Sequence, residues 1–202
     1  MNISEMLGEY ERDYALAMLG VEDFPYQKLS GKTIVVDGES EYMKLTVCMS
    51  LLALNDKEKL SIKVLMLGNG NELSEKLAER NDFSLCSYEQ AAATEYNFFI
   101  STGICGLELD GTSAEYCRIT NNFARAISTA KSCLERCILL SDYRVYGELE
   151  RGLVISENEA GFVPFSNNGD MSQTTAVSIE TYFSAYAKQF NITKVKWVIS
   201  GG

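Results

Sequence analysis

The chain has no histidine among its 202 residues. That one absence removes every Ser-His, Cys-His and histidine general-base scheme, and any zinc site that mixes cysteine with histidine. Proline is almost missing too, with two residues, so extended proline-rich linkers are excluded. No run of 18 or more apolar residues occurs, so no membrane span is indicated. The opening "MNISEMLGEYERDYALAML" carries acids early and lacks a basic region ahead of an apolar core, so no signal peptide is expected and a cytoplasmic protein is. Basic charge is also short. The net charge of −10 argues against a nucleic-acid or anionic-membrane partner, both of which need a basic footprint.

Six cysteines are present without a single C-x-x-C pair. Cys133 and Cys137 are four apart, but nothing completes a metal site around them, and reduced thiols packed as small hydrophobes are the expectation. With 46% hydrophobic and 23% charged residues the composition is that of a soluble globular protein, and 202 residues suffice for one domain with a proper core.

The pattern along the chain alternates. "TIVVD" (33–37) and "IKVLML" (62–67) are short apolar runs of the kind a doubly covered parallel strand shows. "FSLC" (83–86), "NFFIS" (97–101), "CILLS" (137–141) and "KVKWVIS" (194–200) read as further strands. Between them, helices are predicted over about 41–54, 72–80, 114–130 and 172–190, and another ahead of them over 3–19. The helix over 41–54 is apolar on most sides, which predicts that it is sandwiched between layers. The loop 102–111 bears glycines, and 142–171 reads as a long loop rich in glycine, acids and asparagine. Such alternation predicts an α/β fold, a Rossmann-like doubly wound parallel sheet with helices on both faces. Ligands of these sheets bind beyond the carboxyl ends of the strands where strand order reverses. The segments 37–41, 68–71, 101–106 and 142–171 are therefore the ones to examine.

Three stretches carry a resemblance. "LSGKTIVVDGES", "LLSDYRVYGELERGLVISENEAGFVPFSN" and "ETYFSAYAKQFNITKVKWV" resemble the extended short-chain dehydrogenase/reductases, in their NAD-dependent nucleotide-sugar epimerase/dehydratase branch. The likeness covers about Leu29 to Ser200. It implies an N-terminal helical extension over 1–28 and, over 29–202, a Rossmann-like NAD(P)-binding-type domain without that family's C-terminal substrate lobe. It also implies a homodimer through the helices near 114–130 and 172–190, with Tyr116, Phe123, Tyr182, Phe183 and Tyr186 as anchors, and it leaves room for another protein partner.

Against that family the chain departs at each chemical position. The family's first turn reads G-x-x-G-x-x-G; aligned on Gly38, its second and third glycines fall on Glu41 and Lys44. Those glycines let backbone amides approach a pyrophosphate. Glu41, with Glu39 beside it, either fills the anion site at the helix N-terminus or points to solvent, and both readings disfavour a phosphate there. Lys44 is expected to lay its stem over the sheet. The acid that grips the adenosine ribose falls on Gly68 or Asn69. The family's serine, tyrosine and lysine positions fall on Asp142, Ser172 and Ala176. Without a basic neighbour a tyrosine keeps a pKa of about 10 and is a poor base at neutral pH.

The expectation is therefore a degenerate, catalytically inactive relative with no cofactor. NAD(P) is implied only if the crevice of Gly38, Glu41, Lys44, Asn69, Thr102 and Gly103 still functions. Two alternatives stand beside it. One is an active epimerase, dehydratase or oxidoreductase using a shifted set, such as Asp142 with Tyr143 or Tyr146. The other is a different small ligand near Thr102, Gly103, Asp142 and Tyr143.

Overall fold

A computed structural model describes residues 25–107, 109, 111–146, 171–189 and 193–199. The expected helix over 3–19 and most of the loop 142–171 lie outside the described residues. The elements run β1 (Thr33–Asp37), α1 (Glu41–Glu58), β2 (Lys63–Leu67), α2 (Glu72–Leu77), β3 (Phe83–Cys86), α3 (Tyr88–Ala93), β4 (Tyr96–Ser101), α4 (Ser113–Ser128), β5 (Cys133–Asp142), α5 (Met171–Gln189) and β6 (Thr193–Ile199). The six strands form one sheet in the order β3-β2-β1-β4-β5-β6, and every neighbouring pair is parallel. Strand order reverses between β1 and β4, which is where such a sheet opens a crevice.

The side chains of β1 show why both faces need helices. Successive residues of a strand point to opposite faces. Ile34 and Val36 join the core on one face, packed with Leu45, Cys48 and Leu52 of α1. Val35 joins the core on the other, with Phe99 of β4, Ile119 and Phe123 of α4, and Ile179 and Phe183 of α5. This is the expected doubly wound α/β architecture.

Three local expectations need correction. Helix α1 is buried at Lys44, Leu45, Cys48 and Leu52–Leu54, while Tyr42 is 71% exposed, so it is not sandwiched on all sides. Strand β5 starts at Cys133, four residues before the expected 137, because Leu134, Glu135 and Arg136 are exposed and break the apolar run that signals a buried strand. Helix α3 has no counterpart among the expected helices, since six residues hold too little periodicity. Its signal is a capping box: Ser87 Oγ accepts from the Gln90 N–H at 3.2 Å, and Gln90 Oε1 accepts from the Ser87 N–H at 2.8 Å.

Candidate functional site

The β1–α1 turn is fixed by the β4 loop beneath it. The Thr102 N–H donates to the Asp37 carbonyl at 2.9 Å, and the Glu39 N–H donates to the Gly103 carbonyl at 3.0 Å. Gly38 sits at φ +150°, and a Cβ there would overlap Thr102 Oγ1, so glycine is required by this close approach. Thr102 and Gly103, expected in the crevice, are buried under the turn and do not line the open space above it. Ser40 caps α1, its Oγ accepting from the Met43 N–H at 3.4 Å. Glu41 occupies the first helical turn and pairs with Lys44 at 3.1 Å. The Lys44 ammonium also donates to the Leu67 carbonyl at 3.4 Å, at the end of β2. Lys44 is 7% exposed, its stem lying between helix and sheet.

Above this turn lies a cleft of about 840 Å³ at the carboxyl ends of β1, β2 and β3. Asp37, Gly38, Lys44 and Asn69 line it; of the two glutamates of the turn, Glu39 faces the crevice and Glu41 does not. The Glu39 carboxylate accepts from Arg118 Nη1 at 2.6 Å and from Asn122 Nδ2 at 2.9 Å, both on α4. The far wall is Tyr88, over whose ring Arg125 stacks at 4.5 Å while reaching Glu89 at 3.5 Å. Burial pushes the Tyr88 phenol up to about 12, and the carboxylates of Asp37 and Glu39 add to this, so it is no base at neutral pH.

Asp37 forms the floor. It is 7% exposed, and its Oδ2 accepts from the Ser101 hydroxyl at 3.1 Å. Burial pushes its carboxyl up to about 6, although the Ser101 hydrogen bond and the Lys44 charge pull the other way. Tyr88, Asn122 and Arg125 were not anticipated from the sequence, and Asp37 only as the first residue of a segment to examine. An acid closing the β-branched run "TIVVD" was a usable sign for Asp37. The α4 residues are distant in the chain and carried none.

The positions implied for catalysis lie elsewhere and are committed to structure. Asp142 Oδ1 accepts from the Arg144 N–H at 3.0 Å and pairs with Arg144 Nε at 3.3 Å, tying down the turn after β5. Arg144 also donates to the Leu107 carbonyl at 3.0 Å. Ser141 donates to Glu180 of α5. Ser172 lies in the first turn of α5, half-buried, and Ala176 is 2% exposed within the apolar core. Tyr143 is 45% exposed, and Tyr146 packs against the core. None of Asp142, Ser172, Ala176 or Tyr143 lines the cleft. Among the described residues no group of three or more acids or cysteines has metal-site geometry.

Solved structures with this arrangement are numerous. UDP-glucuronic acid 4-epimerase from Bacillus cereus in complex with NAD is 17% identical, with a TM-score of 0.58 over 81% of this chain and 55% of that one. This chain shares the fold of that structure over most of its length. WbmH of Bordetella bronchiseptica, in complex with NAD+, matches at 12% identity and TM-score 0.55 over 84% of this chain and 56% of its own. UDP-glucose 4-epimerase from Brucella ovis, in complex with NAD, matches at 17% and 0.53 over 83% and 51%. The likeness is to the extended short-chain dehydrogenase/reductase fold, and the chain spans about half the length of these structures. No protein-family model and no curated protein matches the chain.

A dinucleotide does not fit the epimerase-like turn as this chain builds it. The Met43 and Glu39 amides are taken by Ser40 and by the Gly103 carbonyl. Of the cleft cations, Lys44 is held by Glu41 at 3.1 Å, while Arg125 reaches Glu89 at 3.5 Å with both side chains exposed. A pyrophosphate needs free amides at a helix N-terminus or uncommitted positive charge, and would meet the carboxylate of Glu39 instead. No hydride-transfer step is derived through it.

Proposed function

We propose that this protein is a non-catalytic member of the epimerase-like Rossmann group, related to sugar-nucleotide metabolism, that binds no dinucleotide and works through protein contacts. One observation carries the reading: in the turn that would seat a pyrophosphate, the Glu39 and Met43 amides and the Lys44 charge are engaged by the chain's own groups, and the Glu39 carboxylate faces the cleft. The loss of the serine, tyrosine and lysine positions supports it, with Asp142 held in an ion pair and Ala176 in the core. A cytoplasmic setting accords with six free cysteines.

A homodimer through α4 and α5 belongs to the same proposal. Tyr116, Phe123 and Phe183 are turned into the core and Tyr186 packs against it, which leaves Tyr182, 39% exposed, and Met171, 40% exposed, as anchors. A solution mass near 22.5 kDa removes the dimer.

The decisive measurement for the main reading is thermal unfolding with and without millimolar NADH and NADPH. A ligand present at about 100 times its Kd stabilises by roughly 2.7 kcal/mol, a shift of several degrees. We expect no shift. A shift of that size overturns the reading.

A further inference from the structure

The cleft is too large to be a packing defect and too acidic for the ligand its fold suggests. Of its charged lining residues, four are acids (Asp37, Glu39, Glu75, Glu89) and two are cations (Lys44, Arg125). Both cations are held by carboxylates of this chain, and Glu39 is held by Arg118 and Asn122 on the α4 side. One charged group on the floor has no such partner. Asp37 is 7% exposed and forms no ion pair among the described residues. It receives the Ser101 hydroxyl and the Gly38 amide, while Lys44 and Glu39 act on it only through space. Burying a carboxylate without a cation is costly, and a ligand that brings one recovers that cost.

We propose that the cleft binds a small organic ligand through a primary ammonium group set against the Asp37 carboxylate. This rests on the reading that no dinucleotide occupies the same space. The acids Glu75 and Glu89 at the rim add a favourable field for a cation, and Asn69 and Gln90 supply amide groups along the lining for hydroxyls. A space of about 840 Å³ suits a polyamine or an amino sugar, which share the ammonium chemistry.

The test is calorimetric titration of the full chain at neutral pH with spermidine and with glucosamine, with glucose and NADH as controls. Binding of either amine without glucose, weakened at least tenfold in Asp37→Asn, supports the proposal. Spermidine alone identifies a polyamine site, and glucosamine alone an amino-sugar site. Should Asp37→Asn fail to fold, Glu75→Lys at the exposed rim serves instead, with binding about threefold weaker expected. No amine binding at about 10 mM, a concentration above the Kd of any specific site of this kind, overturns it. So does binding equal to that of glucose, or binding unchanged in a folded Asp37→Asn. NADH binding overturns the proposed function, and it leaves the ammonium site standing only if Asp37→Asn still abolishes amine binding.

Discussion

At the carboxyl end of β1 the chain keeps a cleft of about 840 Å³, whereas at the carboxyl end of β5 Asp142 is bound by Arg144 and Ser141 by Glu180 of α5. Both ends carry a buried acid. Asp37 is 7% exposed and faces the open space, while Asp142, 6% exposed, is tied to Arg144. At the first end, Glu39 and Glu41 stand in polar contacts that leave the cavity open. At the second, the lysine position of the epimerase-like pattern has become Ala176, packed with Ile179 and Phe183. The two ends therefore differ in kind: at β1 the polar groups surround an open cleft, while at β5 the acid is ion-paired and Ala176 lies in the apolar core.

The sharpest way to break that contrast is to place a charged residue at the position where the resemblance implies a lysine. Ala176→Lys puts an ammonium group into the apolar core and is expected to cost about 4 kcal/mol, without any hydride-transfer activity. At the β1 end the comparable limit is set by backbone approach. Gly38→Ala drives a methyl into Thr102, which is itself held to Asp37, and is expected to cost about 3 kcal/mol. Urea midpoints compare the two. If Ala176→Lys is as stable as the parent chain, the position opens to solvent and the contrast fails.

What the sequence made legible divides along the same line. The parallel α/β plan was readable because β1 and β2 are short apolar runs and the α4 face recurs at helical spacing, and these signals are the packing itself. The β1–α1 turn was readable as a turn because Gly38 answers a local steric need. The dressing of the cleft was not. Glu39 meets Arg118 and Asn122 about eighty residues away, and nothing local to either stretch encodes the meeting. Glu41, which the sequence left between the anion site and solvent, instead pairs with Lys44 one helical turn on and does not line the cleft. Thr102 and Gly103 looked like crevice residues from position alone, because a strand-end loop reads the same whether it lines a site or supports one.

The last contrast concerns the two buried acids. Asp37 has its carboxyl pushed up to about 6 from 3.8 by burial. Its protonated form therefore stabilises the fold fully below 3.8, and that stabilisation is lost as the pH rises through about 6, on the order of 3 kcal/mol in all. The carboxamide of Asp37→Asn would keep an acceptor for Ser101 and has no proton to lose, so this variant should gain on the parent chain as the pH rises through about 6. Chemical denaturation of both proteins from about pH 4 to pH 8 reads this difference directly. A flat difference would mean that water reaches the Asp37 carboxyl freely. Asp142→Asn should behave in the opposite sense at neutral pH, losing about 2 kcal/mol, because it leaves the partly buried Arg144 without its carboxylate. Equal burial with opposite signs follows from one feature: the acid at β5 has a cation of its own, and the acid at β1 does not.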